Sequence, residues 1–209
     1  MTKELKKLDP RVVRTRQLLR DALVSLIAEK GFDALTVQDI ADRATLNRAT
    51  FYLHYQDKHD LLVKSLHDAI DELMADIGPS AANGQLVFDG SLRPIVGVFN
   101  HVAQRAPFYR VMMGAEGVPS FIAGVRDYMV EITLKWLTML QPDPQQSTVP
   151  LDIVANSLSW SLLGVLIWWL GHDLPQPPEY MAEQFHRLMT LGVPQVLGLE
   201  PSSPAGLPR

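Results

Sequence analysis

The residues from Asn47 to His54 combine polar, cationic and aromatic side chains in a pattern that could contact a nucleic acid. Arg48 and Tyr52 stand four positions apart, so on a helix they would share one face, and Asn47 has a side chain that commonly caps a helix start. Phe51 would point into a core, which leaves its polar neighbours facing outward. A short helix of this kind, following another across a tight turn, is typical of a helix-turn-helix. The pattern therefore predicts sequence-specific DNA binding.

Local signals also predict the elements that hold this helix in place. Thr36 and Asp39 have the spacing of a capping box at the start of the preceding helix. Asp57 and Asp60 repeat that spacing at the start of the following helix. Lys58 lies in the first turn of that following helix, where the helix dipole disfavours a cation. A cation there favours a phosphate docked at the helix start.

Residues 14–62 resemble the DNA-binding domain of the TetR family of transcriptional regulators. Three segments carry the resemblance: Leu35-Thr-Val-Gln-Asp-Ile-Ala, Asn47-Arg-Ala-Thr-Phe-Tyr-Leu-His-Tyr55 and Asp57-Lys-His-Asp-Leu61. The resemblance implies an all-helical homodimer that binds a double-stranded DNA operator, with its third helix in the major groove. It also implies DNA contacts at Thr36, Arg43, Asn47, Arg48, Thr50, Tyr52, His54 and Lys58.

One position departs from the family pattern. Family members often have glycine where this chain has Thr45, at the end of the second helix. Glycine suits the left-handed conformation of a helix C-cap, whereas threonine does not. The substitution leaves open a different turn geometry between the second and third helices.

Hydrophobic periodicity predicts helices along the whole chain, and therefore an all-α protein. We expect helices over about 9–30, 58–77, 91–105, 107–113, 120–140, 151–171 and 179–197, with a loop at Gly78–Gly84. The domain interpretation is a helix-turn-helix DNA-binding domain over 1–60 that includes a basic arm. A helical ligand-binding and dimerisation domain follows over 61–198, and then a disordered tail over 199–209.

Composition and charge fit a DNA-binding regulator. The chain has 209 residues, a net charge of −4 and no cysteine, which excludes a disulfide scaffold. Residues 1–60 contain 11 basic and 9 acidic residues, whereas the remainder contains 8 and 14, so positive charge is concentrated at the N-terminal end. The basic arm either follows DNA phosphates or is a solvated tail. Met1 to Pro10 lacks the apolar segment of a signal peptide, so we expect a cytoplasmic protein.

The apolar stretch Leu151–Gly171 predicts a buried bundle helix, because Asp152 and several serines interrupt it and make a membrane span unfavourable. A helix that is apolar over most of its circumference must be covered on most sides. We expect a two-fold dimer interface there, although the central core helix of a monomer explains the same pattern. The predicted interface residues are Leu162, Leu166, Trp169 and Leu170.

Aromatic and methionine side chains in the second half could line a site for a small apolar ligand of unidentified structure. They are Phe99, His101, Phe108, Tyr109, Met112, Met113, Tyr128 and Trp160, and ordinary core packing is the alternative for each. The segments Ala106–Gly114, Trp168–Gly171 and Pro178–Ala182 resemble a TetR C-terminal type common in Gram-positive bacteria. Some members of that type act through protein partners, which gives an alternative to a ligand.

No motif indicates an enzyme, a metal site or a cofactor. The six histidines lack metal-ligand spacing, and neither GxSxG nor a glycine-rich phosphate loop occurs.

Overall fold

The computed structural model describes residues 9–77, 92–114 and 117–197, and these residues form an all-α protein. Within these ranges there are nine α-helices and no β-strand. The helices are α1 (Pro10–Lys30), α2 (Val37–Arg43), α3 (Arg48–Tyr52), α4 (Lys58–Ile77), α5 (Arg93–Gln104), α6 (Ala106–Met113), α7 (Pro119–Leu140), α8 (Leu151–Gly171) and α9 (Pro178–Val196). A 3₁₀ helix, Pro144–Gln146, lies between α7 and α8. The predicted loop at 78–84, the first eight residues and the predicted tail lie outside the described residues.

The predicted helix starts in the N-terminal part are confirmed, and the capping residues predicted for α2, α3 and α4 cap those helices. The Asp9 carboxylate accepts the Arg11 backbone N–H at 2.8 Å before α1. Thr36 and Asp39 form the capping box of α2 in both directions. Asp57 accepts two backbone N–H groups at the start of α4. Each cap satisfies donors that the first helical turn leaves without a partner.

The chain divides into two compact units. Unit 1 comprises residues 1–72 and 107–127, and unit 2 comprises 73–106 and 128–209. The boundary that the sequence suggested at residue 60 falls inside unit 1. Most of α4, most of α6 and the beginning of α7 cluster with the N-terminal helices. Residues 58–72 of α4 belong to unit 1 and residues 73–77 to unit 2.

Unit 1 is built on an apolar core to which α1, α2, α3 and α4 each contribute. Its fully buried side chains include Leu19, Ile40, Phe51 and Leu61. Later in the chain, α7 approaches α4 closely: a Cβ at Gly124 would collide with the Leu66 Cδ2 methyl group. The absence of a side chain at position 124 therefore permits this helix crossing.

In unit 2, α8 packs its buried side around Trp169, which is 0% exposed. The Trp169 ring meets the Phe99 ring of α5 edge to face at 5.2 Å, and its indole N–H donates to the Gln176 carbonyl at 3.0 Å. Leu166 and Leu170 are buried on the same helix. The structure thus corrects the predicted dimer interface: these three residues belong to the protomer core and are not accessible to a partner. Leu162 is half-buried.

The opposite side of α8 is exposed and carries large apolar side chains. Ile153, Trp160 and Trp168 are each about half exposed, and Gly164 between them has open space where a Cβ would project. These positions recur every four or seven residues and share one helix face. The 21 residues of α8 are long and apolar enough to cross a membrane, a property that the core helix of a soluble protein shares. In α9, Gly192 interrupts the helical backbone with φ 75°.

Candidate nucleic-acid interface

The second helix of the motif, α3, is fixed at its start by a cap and along its inner side by an aromatic cluster. The Asn47 Oδ1 atom accepts the Ala49 backbone N–H at 2.8 Å. Phe51 is fully buried, and its ring lies 5.6 Å from that of Tyr52 and 5.7 Å from that of Tyr55. The burial of Phe51 orients α3 so that its outer residues face solvent.

The turn between α2 and α3 has the geometry that glycine would normally supply. Thr45 has φ 57°, in the left-handed region. Its backbone N–H donates to the Asp42 carbonyl at 3.0 Å, and the Leu46 N–H donates to the Ala41 carbonyl at 2.9 Å. This pair of bonds is a Schellman motif. The different turn geometry that the sequence left open is not adopted; a β-branched residue occupies an unfavourable conformation instead.

Arg48 and Tyr52 form a polar pair on the exposed face of α3. An Arg48 Nη2 donates to the Tyr52 hydroxyl at 3.1 Å, and the guanidinium lies 5.4 Å from the centre of the tyrosine ring. Arg48 keeps further N–H donors because a guanidinium has five. The pair therefore presents a guanidinium at the surface that Tyr52 holds in position and that has N–H donors for a further partner.

Arg43 and Thr36 are exposed, but both make bonds within unit 1. Two Arg43 nitrogens donate to the two Glu29 carboxylate oxygens, each at 2.6 Å. That bidentate contact lowers the pKa of Glu29 and raises the pKa of Arg43. The Thr36 hydroxyl donates to Asp39 at 2.7 Å. This bond, together with the Thr36 backbone N–H and the Lys30 ammonium, lowers the pKa of Asp39 to about 2. A phosphate would have to compete with these partners.

Lys58 occupies the start of α4, and its ammonium faces the loop between α1 and α2. It donates to the backbone carbonyls of Phe32, Asp33 and Leu35 at 3.1, 2.9 and 3.0 Å. An ammonium has three N–H donors, so a phosphate contact would displace or share one of these bonds. Lys58 thus ties the start of α4 to the loop between α1 and α2, a role that the sequence did not indicate.

Burial lowers the pKa of His54, with the positive charges of Arg16 and Lys64 acting in the same direction. The imidazole is therefore largely neutral at pH 7 and can either donate or accept a hydrogen bond. Thr50 is half-buried beside it on α3. Sequence reasoning passed over two exposed residues, Ala49 on α3 and Leu53 at the C-cap of α3; their spacing of four residues was the signal available.

The predicted ligand-site residues divide between the two units. Phe108, Tyr109, Met112 and Met113 lie in unit 1, where the Phe108 ring packs 5.6 Å from Phe121. Phe99, His101, Tyr128 and Trp160 lie in unit 2, where Trp160 is 49% exposed. The buried His101 has its Nδ1 atom 2.7 Å from an Asp76 carboxylate oxygen.

Two polar clusters lie one helical turn apart on α4. In unit 1, Arg20 donates to Glu72 at 2.9 Å, and its guanidinium lies 4.8 Å from the centre of the Phe108 ring. In unit 2, Asp76 accepts from Arg105 at 3.0 Å and faces His101. The His101 hydrogen bond, together with the Arg105 charge, lowers the pKa of Asp76. Helix α4 thus carries Glu72, the partner of Arg20 in unit 1, and Asp76, the partner of Arg105 in unit 2.

Comparison with known proteins adds family matches over both parts of the chain. Residues 19–64 match the family described as bacterial regulatory proteins, tetR family, and residues 93–191 match the one described as transcriptional regulator C-terminal region. The HTH-type transcriptional regulator YxbF of Bacillus subtilis is 24% identical over 86% of this chain and 46% of its own length. The HTH-type transcriptional repressor KstR of Mycobacterium tuberculosis is 30% identical over 44% of this chain and 41% of its own length. The chain thus spans less than half the length of these curated relatives.

Solved structures show the same fold. The crystal structure of a TetR-family transcriptional regulator from Syntrophomonas wolfei matches with a TM-score of 0.68 at 20% identity. The match covers 87% of this chain and 97% of that one.

Proposed function

This chain belongs to the TetR family of transcriptional regulators, and we propose that it acts in the cytoplasm as a ligand-responsive repressor that binds a palindromic operator as a homodimer. The observation that carries the proposal is the capped helix α3, whose buried Phe51 turns Arg48 and Tyr52 outward. Relatives named as repressors support the direction of regulation. The proposal includes no catalytic step.

In the DNA complex, Arg48 contacts a base edge, preferably the O6 and N7 atoms of guanine. Tyr52 contacts a phosphate, and its hydroxyl keeps Arg48 aimed at the groove. Thr36, Arg43, Asn47, Thr50, His54 and Lys58 complete the proposed surface. Of these, Lys58 reaches DNA only by giving up part of its present bonding, and the charge of Arg43 is already paired with Glu29, so we expect both to contribute less to affinity than Arg48.

The homodimer forms, on this proposal, through the exposed face of α8. Trp160 and Trp168 present aromatic surface on that face, and aromatic residues dominate binding energy at many interfaces. Gly164 between them lets a second helix approach closely. A two-fold dimer presents two copies of α3, which fits an operator with two related half-sites.

Ligand response would act through α4. On this proposal, a small apolar ligand would favour one position of the last turn of α4, where Asp76 meets His101 and Arg105. The same helix carries Glu72, the partner of Arg20 in unit 1. A ligand with different affinity for two positions of α4 shifts the population between them. Coupling of about 1–3 kcal/mol would change operator affinity about 5–150-fold.

A protein partner in place of a ligand is the second candidate function. It is favoured by the resemblance of the C-terminal segments to a type in which some members act through protein partners, and by the apolar surface of Trp160 and Trp168. The two candidates differ in one measurement. Apolar compounds that raise the melting temperature of the purified chain weaken operator binding if the ligand proposal is correct. If such compounds leave operator affinity unchanged, the protein-partner function is favoured.

The DNA-binding part is tested by nuclease footprinting on the DNA upstream of the gene for this chain, followed by affinity measurements on the protected site. The substitution Arg48→Ala should cost about 1–3 kcal/mol on that site and relax its sequence preference. Arg187→Ala, which removes an exposed arginine of unit 2, is the matched control and should bind as the unaltered chain does. An equal loss of affinity for the protected site and for random DNA after Arg48→Ala would contradict base readout by Arg48.

A further inference from the structure

The exposed face of α3 carries two parallel columns of side chains, one polar and one apolar. Arg48 and Tyr52 form the polar column, joined by their hydrogen bond. Ala49 and Leu53 form the apolar column, since they too stand four residues apart and the Leu53 N–H donates to the Ala49 carbonyl at 3.3 Å. Both columns face solvent.

Leu53 is more exposed than any other large apolar residue that the structure describes, at 80%. Leu53 is not part of the core, because the buried side of this segment is occupied by Phe51 and Tyr55. A single exposed leucine needs no explanation elsewhere on a protein. Here it lies at the C-cap of the helix that faces DNA in this family, close in sequence to the arginine best placed to read a base.

We propose that the Ala49–Leu53 column reads the C5-methyl group of a thymine in the major groove. This inference rests on the operator binding proposed above, and it assigns part of the operator's sequence preference to the Ala49–Leu53 column. Thymine is the base that presents a methyl group there, and apolar side chains recognise it by contact. Leu53 covers the methyl group and removes it from water, while the small side chain of Ala49 allows α3 to come close to the bases. Each half-site then has a thymine adjacent to the base read by Arg48.

The test begins with selection of duplexes from a random-sequence pool by the full-length chain. Each thymine of the selected duplex is then replaced in turn by deoxyuridine, which removes the methyl group and nothing else. One such replacement in a half-site should weaken binding about fourfold, the effect of returning one methyl group to water. In Leu53→Ala the same replacement should have no effect.

Val63→Ala is the matched control, because Val63 is an exposed apolar residue on α4 of the same unit. This variant should keep the full sensitivity to deoxyuridine. Leu53 is exposed, so Leu53→Ala should melt at the same temperature as the unaltered chain.

The outcomes separate this inference from the function on which it rests. A pool that yields no enriched sequence overturns operator binding, and this inference with it. An enriched sequence that tolerates deoxyuridine at every thymine overturns the methyl readout alone. Equal sensitivity in the unaltered chain and in Leu53→Ala leaves the methyl readout in place but overturns its assignment to Leu53.

Discussion

Replacing Thr45 by glycine should stabilise the protein, because the Schellman turn between α2 and α3 places this β-branched residue at φ 57°. A side chain in the left-handed region costs about 1–2 kcal/mol, which glycine would recover. Glycine also gives the unfolded chain more freedom, which offsets about 0.4–1 kcal/mol of that gain. Thr45 is exposed, so the substitution removes no buried group. The net expectation is about 0.5–1 kcal/mol of added stability, or about 1–4 °C in melting temperature for a chain of this size.

The assay is thermal and denaturant unfolding of four variants. Thr45→Gly should be the most stable, Thr45→Asn should gain less because asparagine tolerates the left-handed region, and Thr45→Ala should gain least because it keeps a Cβ. Thr15→Gly is the control, since Thr15 lies inside α1 and glycine destabilises a helix interior. A melting temperature that falls or stays unchanged in Thr45→Gly would refute the reasoning from backbone strain. Operator affinity should remain within about twofold, because the turn keeps its conformation.

Three further substitutions test contacts in the two units. Lys58→Met should lower the free energy of unfolding by about 1–2 kcal/mol, because three carbonyls lose a charged donor while staying partly open to water. If the proposed dimer forms through the exposed face of α8, Trp168→Glu should convert it to a folded monomer in gel filtration, because Trp168 is exposed in the protomer and would be buried in that dimer. Thr36→Val should weaken the dependence of the free energy of unfolding on acid pH. In the folded state the pKa of Asp39 is lowered to about 2. The stability that Asp39 contributes is therefore present above about pH 4 and is lost as the pH falls toward 2.

Each of these substitutions has a control at an exposed position. Lys135→Met removes a surface ion pair with Glu131 and should change stability by less than about 1 kcal/mol. Leu140→Glu alters an exposed residue of α7 and should leave the dimer intact. Thr138→Val alters a threonine that bonds a backbone carbonyl and should keep the acid profile of the unaltered chain. A persistent Trp168→Glu dimer would move the interface elsewhere, and unchanged stability of Lys58→Met would show that the three carbonyls are satisfied by water.

Local rules account for what could be predicted from the sequence. Capping depends on residues two to four positions apart, so Thr36, Asn47 and Asp57 marked helix starts correctly. Periodicity placed the helices of the C-terminal half within two residues of their observed ends. The break at Gly192 was not predicted, because a glycine inside an apolar pattern does not by itself reveal a positive φ.

Long-range contacts account for what could not be predicted. Lys58 bonds carbonyls that lie 23 to 26 residues earlier, and no local pattern indicates such a pairing. On α8 the apolar residues surround most of the helix, so the pattern does not distinguish the side that holds Trp169 from the side that holds Trp168. Leu166, Trp169 and Leu170 were therefore predicted at a dimer interface, although they lie on the side of α8 that is buried in the protomer.

The two chain segments that make up unit 1 also limit how chimeras between this protein and its relatives can be built. This unit is discontinuous in the chain, since residues 107–127 cluster with residues 1–72. A chimera with a single junction after the helix-turn-helix would inherit Arg20 from one parent and Phe108 from the other, so their contact would pair residues that come from different proteins. If the outer residues of α3 read the operator as proposed, grafting those residues would transfer its sequence preference better than exchanging the N-terminal segment as a block.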